Sequence, residues 1–117
     1  MPTLTVTKIF GFAASHFLTK YHGKCENLHG HNYKLEVTVS GEIGANGLVY
    51  DFVDLKKEVK AKIIDKLDHA HLNDSFENPS AEAIAVWIWE ALQDDLSLCE
   101  VKLWETDTCF VTYRGKK

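Results

Sequence analysis

His29-Gly30-His31-Asn32-Tyr33-Lys34-Leu35-Glu36-Val37-Thr38-Val39-Ser40 is the stretch on which the reading of this chain turns. From His31 onward apolar and polar residues alternate, with Tyr33, Leu35, Val37 and Val39 set against Asn32, Lys34, Glu36, Thr38 and Ser40. A period of two is that of a strand with one buried face and one wet face. It predicts a strand over residues 31–42, ended by a turn from Gly41 to Gly47. His29 and His31 share the parity of Tyr33, so both stand at the head of the buried face.

Outward from there, residues 3–16 alternate well enough for a second strand, with Leu4, Val6, Phe10, Phe12, Ala14 and His16 on one parity. Lys8 interrupts that face, which suggests a bulge. Asp54 reads as an N-cap, followed by Leu55, Val59, Ile63, Ile64 and Leu67 at helical spacing with lysines opposite. A second helix begins near Asn78-Pro79, Asn as cap and Pro in the first turn, with the stripe Ala81, Ile84, Ala85, Ile88, Leu92. Residues 99–106 and 108–114 read as two further strands joined by a turn near Asp107. The order β-β-α-α-β-β predicts an α+β fold: a four-stranded antiparallel sheet with two helices on one face, residues 1–117 forming one domain. Such a sheet has unpaired edges, which makes an oligomer joined edge to edge a reasonable expectation.

Composition narrows the function. With 117 residues, 45% hydrophobic and 26% charged, the chain reads as an ordinary globule with one modest core. A net charge of -4 argues against a nucleic-acid partner, which wants a basic face. No apolar run approaches the roughly 20 residues needed to span a bilayer. Met1-Pro2-Thr3-Leu4-Thr5 lacks a basic start and a signal-like apolar core, so a cytoplasmic protein is expected. Cys25, Cys99 and Cys109 show no framework spacing, and reduced thiols are the expectation.

Chemistry concentrates in Cys25-Glu26-Asn27-Leu28-His29-Gly30-His31, taken with His16. His16, His29 and His31 all carry the buried parity, so three imidazoles emerge at the ends of two strands that could be neighbours. Three neutral imidazoles with one open position is the ligand pattern of a catalytic zinc site. The alternatives are three hydrogen-bonded histidines at a core edge, or a closed structural site with Cys25 as fourth ligand. Glu105 shares the parity of Cys99, Val101 and Leu103, and a carboxylate on an apolar face is costly unless a donor pairs with it or the strand end is already wet. Asp68-His69 follows the first helix, where a carboxylate could orient an imidazole.

These blocks resemble the 6-pyruvoyltetrahydropterin synthase family, most closely its bacterial 6-carboxytetrahydropterin synthase branch. The resemblance runs nearly end to end through Phe12-Ala13-Ala14-Ser15-His16, Cys25 to Tyr33, Gly47-Leu48-Val49-Tyr50-Asp51-Phe52, Leu67-Asp68-His69, Asn78-Pro79-Ser80-Ala81-Glu82, Trp87-Ile88-Trp89-Glu90, Glu105-Thr106 and Tyr113-Arg114-Gly115. It implies the tunnelling fold, in which three subunits close their sheets into a barrel and two barrels stack into a homohexamer. It implies zinc on His16, His29 and His31, a catalytic Cys25 working with Asp68 and His69, and active sites between subunits. Glu105 then matches the carboxylate that grips the pterin, and Ser80 a hydroxyl near it. Ala81 stands where some members carry a second hydroxyl.

The implied substrate is 7,8-dihydroneopterin triphosphate. The implied products are 6-carboxy-5,6,7,8-tetrahydropterin, acetaldehyde and triphosphate, on the route to the 7-deazaguanine core of queuosine. Glu26 opens an alternative. Folate-pathway relatives carry a glutamate in place of the cysteine, and Cys-Glu-x-x-His-Gly-His matches members able to do both reactions, so cleavage to 6-hydroxymethyl-7,8-dihydropterin is a second expectation. A third, of another class, is a non-catalytic zinc-stabilised assembly protein. Lys20, His22 and Lys24 form a small basic loop, and neither His22 nor His71 has an assigned role.

Overall fold

The computed structural model describes residues 2–116. Strands β1 (Thr3–His16) and β2 (His29–Glu42) form a long antiparallel pair in continuous register from Thr3↔Glu42 to His16↔His29. Lys8 pairs with Val37 without a bulge, and its ammonium lies 5.8 Å from the centre of the Phe10 ring. A long side chain can lay its stem on apolar surface and keep its charge in water, so the expected break is unnecessary.

A helical stretch follows, which we label α1: α-helical over Phe52–Val59, π-helical over Lys60–Ile64 and α-helical again over Asp65–Leu67. Its cap is Asp51 rather than Asp54: Asp51 is extended, and its Oδ1 accepts from the Val53 amide at 2.8 Å. The buried stripe Leu55, Val59, Ile63, Leu67 recurs every four residues. In an α-helix that spacing drifts by ~40° per step, and the wider π turn brings the stripe back onto one face.

Strand β3 (Ala70–His71) then adds to β1 in parallel. A 3-10 turn at Leu72–Asp74 leads to α2 (Ala81–Leu92). Strands β4 (Leu98–Thr106) and β5 (Cys109–Tyr113) complete an antiparallel arm on β2, giving the order β3-β1-β2-β4-β5. The sheet is therefore five-stranded and mixed rather than four-stranded and antiparallel. Two residues are too few to print a period, so β3 is invisible to pattern reading. The α2 cap is also corrected. Ser80 Oγ accepts from the Ala83 amide at 3.1 Å, while Asn78 Oδ1 is engaged by the Thr19 amide at 2.8 Å.

The core lies between one sheet face and the helices. Phe12, Tyr33, Leu35, Val37, Val101 and Leu103 meet Leu55, Val59, Ile63, Ile84, Ile88 and Leu92, all at most 4% exposed. Each such side chain contributes about 1.5–3 kcal/mol by leaving water. The apolar face of β1 and β2 ends on His16, His29 and His31, so the core alternation itself delivers the imidazoles to one place.

Candidate active site

His16 closes β1, His29 opens β2, and the two are direct cross-strand partners, with His31 opposite Ala14. The three ring centres lie 4.7, 5.0 and 4.7 Å apart. His16 Nδ1 donates to the Pro79 carbonyl at 2.7 Å, and His29 Nδ1 donates to the Asn27 carbonyl at 2.8 Å. A carbonyl can only accept, so both protons are assigned to Nδ1 and both Nε2 atoms keep a lone pair. Those two Nε2 atoms face each other at 3.1 Å. His31 Nε2 is buried without a hydrogen-bond partner, and burial, more than any neighbour, lowers its pKa and keeps the ring neutral.

Three imidazole nitrogens turned on one point, with two of the far nitrogens fixed by carbonyls, fit a metal cation. Their ligand atoms all lie within 4.8 Å of one another, and Cys25 is not among them. The trio is thus a candidate metal centre of the open, three-ligand kind. Hydrogen bonding at a core edge does not account for it, because His31 Nε2 has no partner.

Cys25 lies on the loop between β1 and β2, exposed, with its thiol 3.8 Å from the Thr19 carbonyl. It lines a cavity with Tyr21, Lys24, Glu26, Asn27 and His29. The loop reverses at Tyr21–Lys24, where His22 and Gly23 take φ values of 50 and 82. Consecutive positive φ values mark a I′ turn, which favours glycine at its second central position. Lys20, His22 and Lys24 are exposed on this hairpin.

Glu105 sits where β4 and β5 slip register between Trp104 and Thr106. Its carboxylate lies 3.8 Å from His16 Nε2 and 3.9 Å from His31 Nε2, too far for hydrogen bonds. It lines a second cavity with Leu18, Ser80, Ala81, Glu82, Cys109 and Phe110. Ser80 and Glu105 are thus brought together, and Ser80 also caps α2.

Asp68 and His69 stand apart from Cys25. Asp68 Oδ1 accepts from the Ala13 amide at 3.0 Å, and its Oδ2 lies 3.2 Å from His69 Nδ1. The Ala13 amide, ahead of His69, holds the Asp68 carboxyl below its usual range. His69 takes φ 62, donates its amide to the Ala13 carbonyl at 2.6 Å and leaves its side chain 85% exposed. It lines a cleft with Ala13, Ala14, Ser15, Gly30, His31 and Asn32, so the cleft of His69 reaches one imidazole of the trio but not Cys25. One chain does not bring the Asp68–His69 pair to Cys25.

Pattern reading missed the residues that hold the site in place. The carbonyls of Asn27 and Pro79 carry no side-chain signal. Asn73 fixes Phe17 from both sides, Oδ1 accepting at 3.0 Å and Nδ2 donating at 2.9 Å. The Leu72-Asn73 and Asn78-Pro79-Ser80 blocks that share in the family resemblance were the sequence signals for this wall.

Among the described residues no helix is long and apolar enough to cross a membrane. The profile of the 6-pyruvoyl tetrahydropterin synthase family matches residues 5–116. The chain is 38% identical to a 6-carboxy-5,6,7,8-tetrahydropterin synthase of Haemophilus influenzae, over 93% of this chain and 97% of that one. It is 45% identical to a dihydroneopterin monophosphate aldolase of Pyrococcus furiosus, over 68% of this chain and 72% of that one. Its fold superposes on the Caenorhabditis elegans 6-pyruvoyl tetrahydropterin synthase with a TM-score of 0.87 and 29% identity, over 99% of this chain and 98% of that one. The chain belongs to the 6-pyruvoyl tetrahydropterin synthase family and is a pterin-acting enzyme, a lyase of the tetrahydropterin synthase type.

Proposed function

We propose that this enzyme converts 7,8-dihydroneopterin triphosphate to 6-carboxy-5,6,7,8-tetrahydropterin, releasing acetaldehyde and triphosphate, in the 7-deazaguanine route to queuosine. The observation that carries the reading is the pair of Nε2 atoms held 3.1 Å apart, with an exposed free thiol, Cys25, lining a cavity with His29. His16, His29 and His31 would hold zinc, which supplies Lewis acidity toward the hydroxyls of the substrate side chain when bound.

The remaining tasks fall to side chains. Glu105 has no hydrogen-bonded donor among the described residues, and a carboxylate can accept two parallel N–H groups from one edge of a pterin. Ser80 uses its lone pair to cap α2 and keeps its own proton to donate to the ligand. Cys25 moves the side-chain proton, and Asp68 orients His69 to work with it. Since Cys25 and His69 line separate cavities of one chain, we place the working pair across a subunit interface in a homohexamer of two stacked barrels. Support comes from a sheet that ends in a two-residue β3 on one side and in β5, without an outer partner among the described residues, on the other. Ile9 and Phe110, 56% and 46% exposed, add uncovered apolar surface. We further read residues 1–117 as one domain working in the cytoplasm, in keeping with three unpaired thiols.

A second reading is cleavage to 6-hydroxymethyl-7,8-dihydropterin, alone or alongside. Cys25 and Glu26 line one cavity with His29, and the Pyrococcus relative is named an aldolase. Membership of a synthase family sets aside a non-catalytic zinc-stabilised assembly. The test is to incubate zinc-loaded protein with 7,8-dihydroneopterin triphosphate and identify the pterin by mass spectrometry. The 6-carboxy product supports the first reading, both products support dual use, and the hydroxymethyl product alone overturns the first.

A further inference from the structure

The loop between β1 and β2 is closed at its base by one residue pair. The Glu26 amide donates to the Leu18 carbonyl at 2.8 Å, and the Leu18 amide donates to Glu26 Oε1 at 3.2 Å. No other acceptor meets the Leu18 amide among the described residues. The outgoing arm is pinned from outside, with the Phe17 amide on Asn73 Oδ1 and the Thr19 amide on Asn78 Oδ1. The returning arm is tied back by the Leu18–Glu26 closure, the Tyr21–Lys24 bridge and the long Cys25 thiol contact to the Thr19 carbonyl.

The neighbours of Glu26 give the closure its consequence. Before it stands Cys25, whose thiol reaches the Thr19 carbonyl at 3.8 Å. After it stands Asn27, whose carbonyl fixes the proton on His29 Nδ1 at 2.8 Å. Leu18, on the other side of the clasp, lines the cavity of Glu105 and Ser80. One carboxylate therefore links the thiol, the carbonyl that sets an imidazole and the wall of the Glu105–Ser80 cavity.

We propose that Glu26 is a positioning residue: its Oε1, as acceptor for the Leu18 amide, clasps the returning arm so that Cys25 faces its cavity and the Asn27 carbonyl stays on His29. The proposal rests on the reading of Cys25 as the proton-transfer group. It assigns Glu26 work through its acceptor: the bond it makes is to a neutral backbone amide that would otherwise stay unpaired, while its Oε1 lies 3.9 Å from His29 Nδ1, too far for a hydrogen bond.

Glu26→Gln keeps an oxygen at the same reach and loses the charge. Glu26→Asp keeps the charge and withdraws the oxygen from Leu18. The rate at which iodoacetamide alkylates Cys25, read by peptide mass spectrometry so that Cys99 and Cys109 are counted separately, needs no turnover. In E26D this rate shifts about tenfold and kcat falls about tenfold with KM little changed, the scale set by one ordinary net hydrogen bond. E26Q keeps the Cys25 alkylation rate within about twofold of the parent. An E26D protein that behaves like the parent overturns the proposal. So does an E26Q protein as impaired as E26D, because the carboxylate would then act by its charge. Cys25→Ala, assayed in parallel, tests the underlying reading: full turnover without the thiol removes it, while the alkylation rates still decide the clasp.

Discussion

At the head of β1 and β2, three imidazoles are drawn together by strand register and core parity; at the end of α1, Asp68 and His69 are tied to the sheet edge by backbone bonds and left open to water. His16 is 2% exposed, whereas the His69 side chain is 85% exposed. The first cluster has two of its far nitrogens bonded to carbonyls and its three ligand atoms within 4.8 Å of one another, an arrangement that could hold a cation within one chain. The second has its carboxylate bonded and its imidazole turned outward, held at φ 62 where a β-carbon is strained. Burial without a hydrogen-bond partner, as at His31 Nε2, points to a metal. Exposure with strain points to a group that works elsewhere, against another surface.

The sharpest way to break this contrast is to delete one residue from each side. His16→Ala removes a ligand and its hold on Pro79, and both the metal measured by mass spectrometry and turnover drop to background. Cys25→Ala keeps the metal and loses roughly 10²–10⁴ in kcat, the range of a general acid/base. Metal lost with the thiol would make Cys25 a ligand after all. If the pair completes the site of a second copy, mixed assemblies of Cys25→Ala and His69→Ala chains regain activity that neither has alone. No recovery on mixing would return the site to a single chain. Smaller in energy, His69→Gly fits a left-handed backbone, so its thermal unfolding midpoint rises by the equivalent of roughly 0.5–1 kcal/mol while activity is lost. An unchanged midpoint would mean that His69 stores no strain.

How much of this could be read from residues alone divides along the same line. The clustering of the three histidines was legible, because alternation over Tyr33 to Val39 and over Phe10 to Ala14 fixes which face His29, His31 and His16 occupy. Both helical stripes were legible for the same reason. The caps were not: Asp51 and Asp54 satisfy the same local rule, and Asn78 is drawn away by the distant Thr19 amide at 2.8 Å. Strand β3 was not, being two residues long and held by partners fifty-six positions away in chain order, Ala14↔Ala70 and Ser15↔His71. Nor was the separation of Cys25 from Asp68 and His69, since that depends on how the loop and the sheet edge sit in space. Periodicity reports what faces the core; what faces another molecule leaves no period.

The smallest effect concerns the tie between the second cluster and the sheet. The Ala13 amide holds the Asp68 carboxyl below its ordinary value of 3.8, so the folded state binds that proton less readily than the unfolded chain. For an acid shifted in this direction the stabilising contribution is complete above the unfolded pKa and is lost as pH falls through the folded one. Asp68→Asn removes the titration and leaves an oxygen near the amide. The parent's advantage in unfolding midpoint over D68N should therefore hold steady from neutral pH down to about 4 and shrink in more acidic solution. The group is solvent-exposed, so salt and water screening keep the difference small. A difference that stays flat through the acidic range would mean the carboxylate does not anchor the strand edge, and the outward-facing imidazole would then need another explanation for its strained backbone.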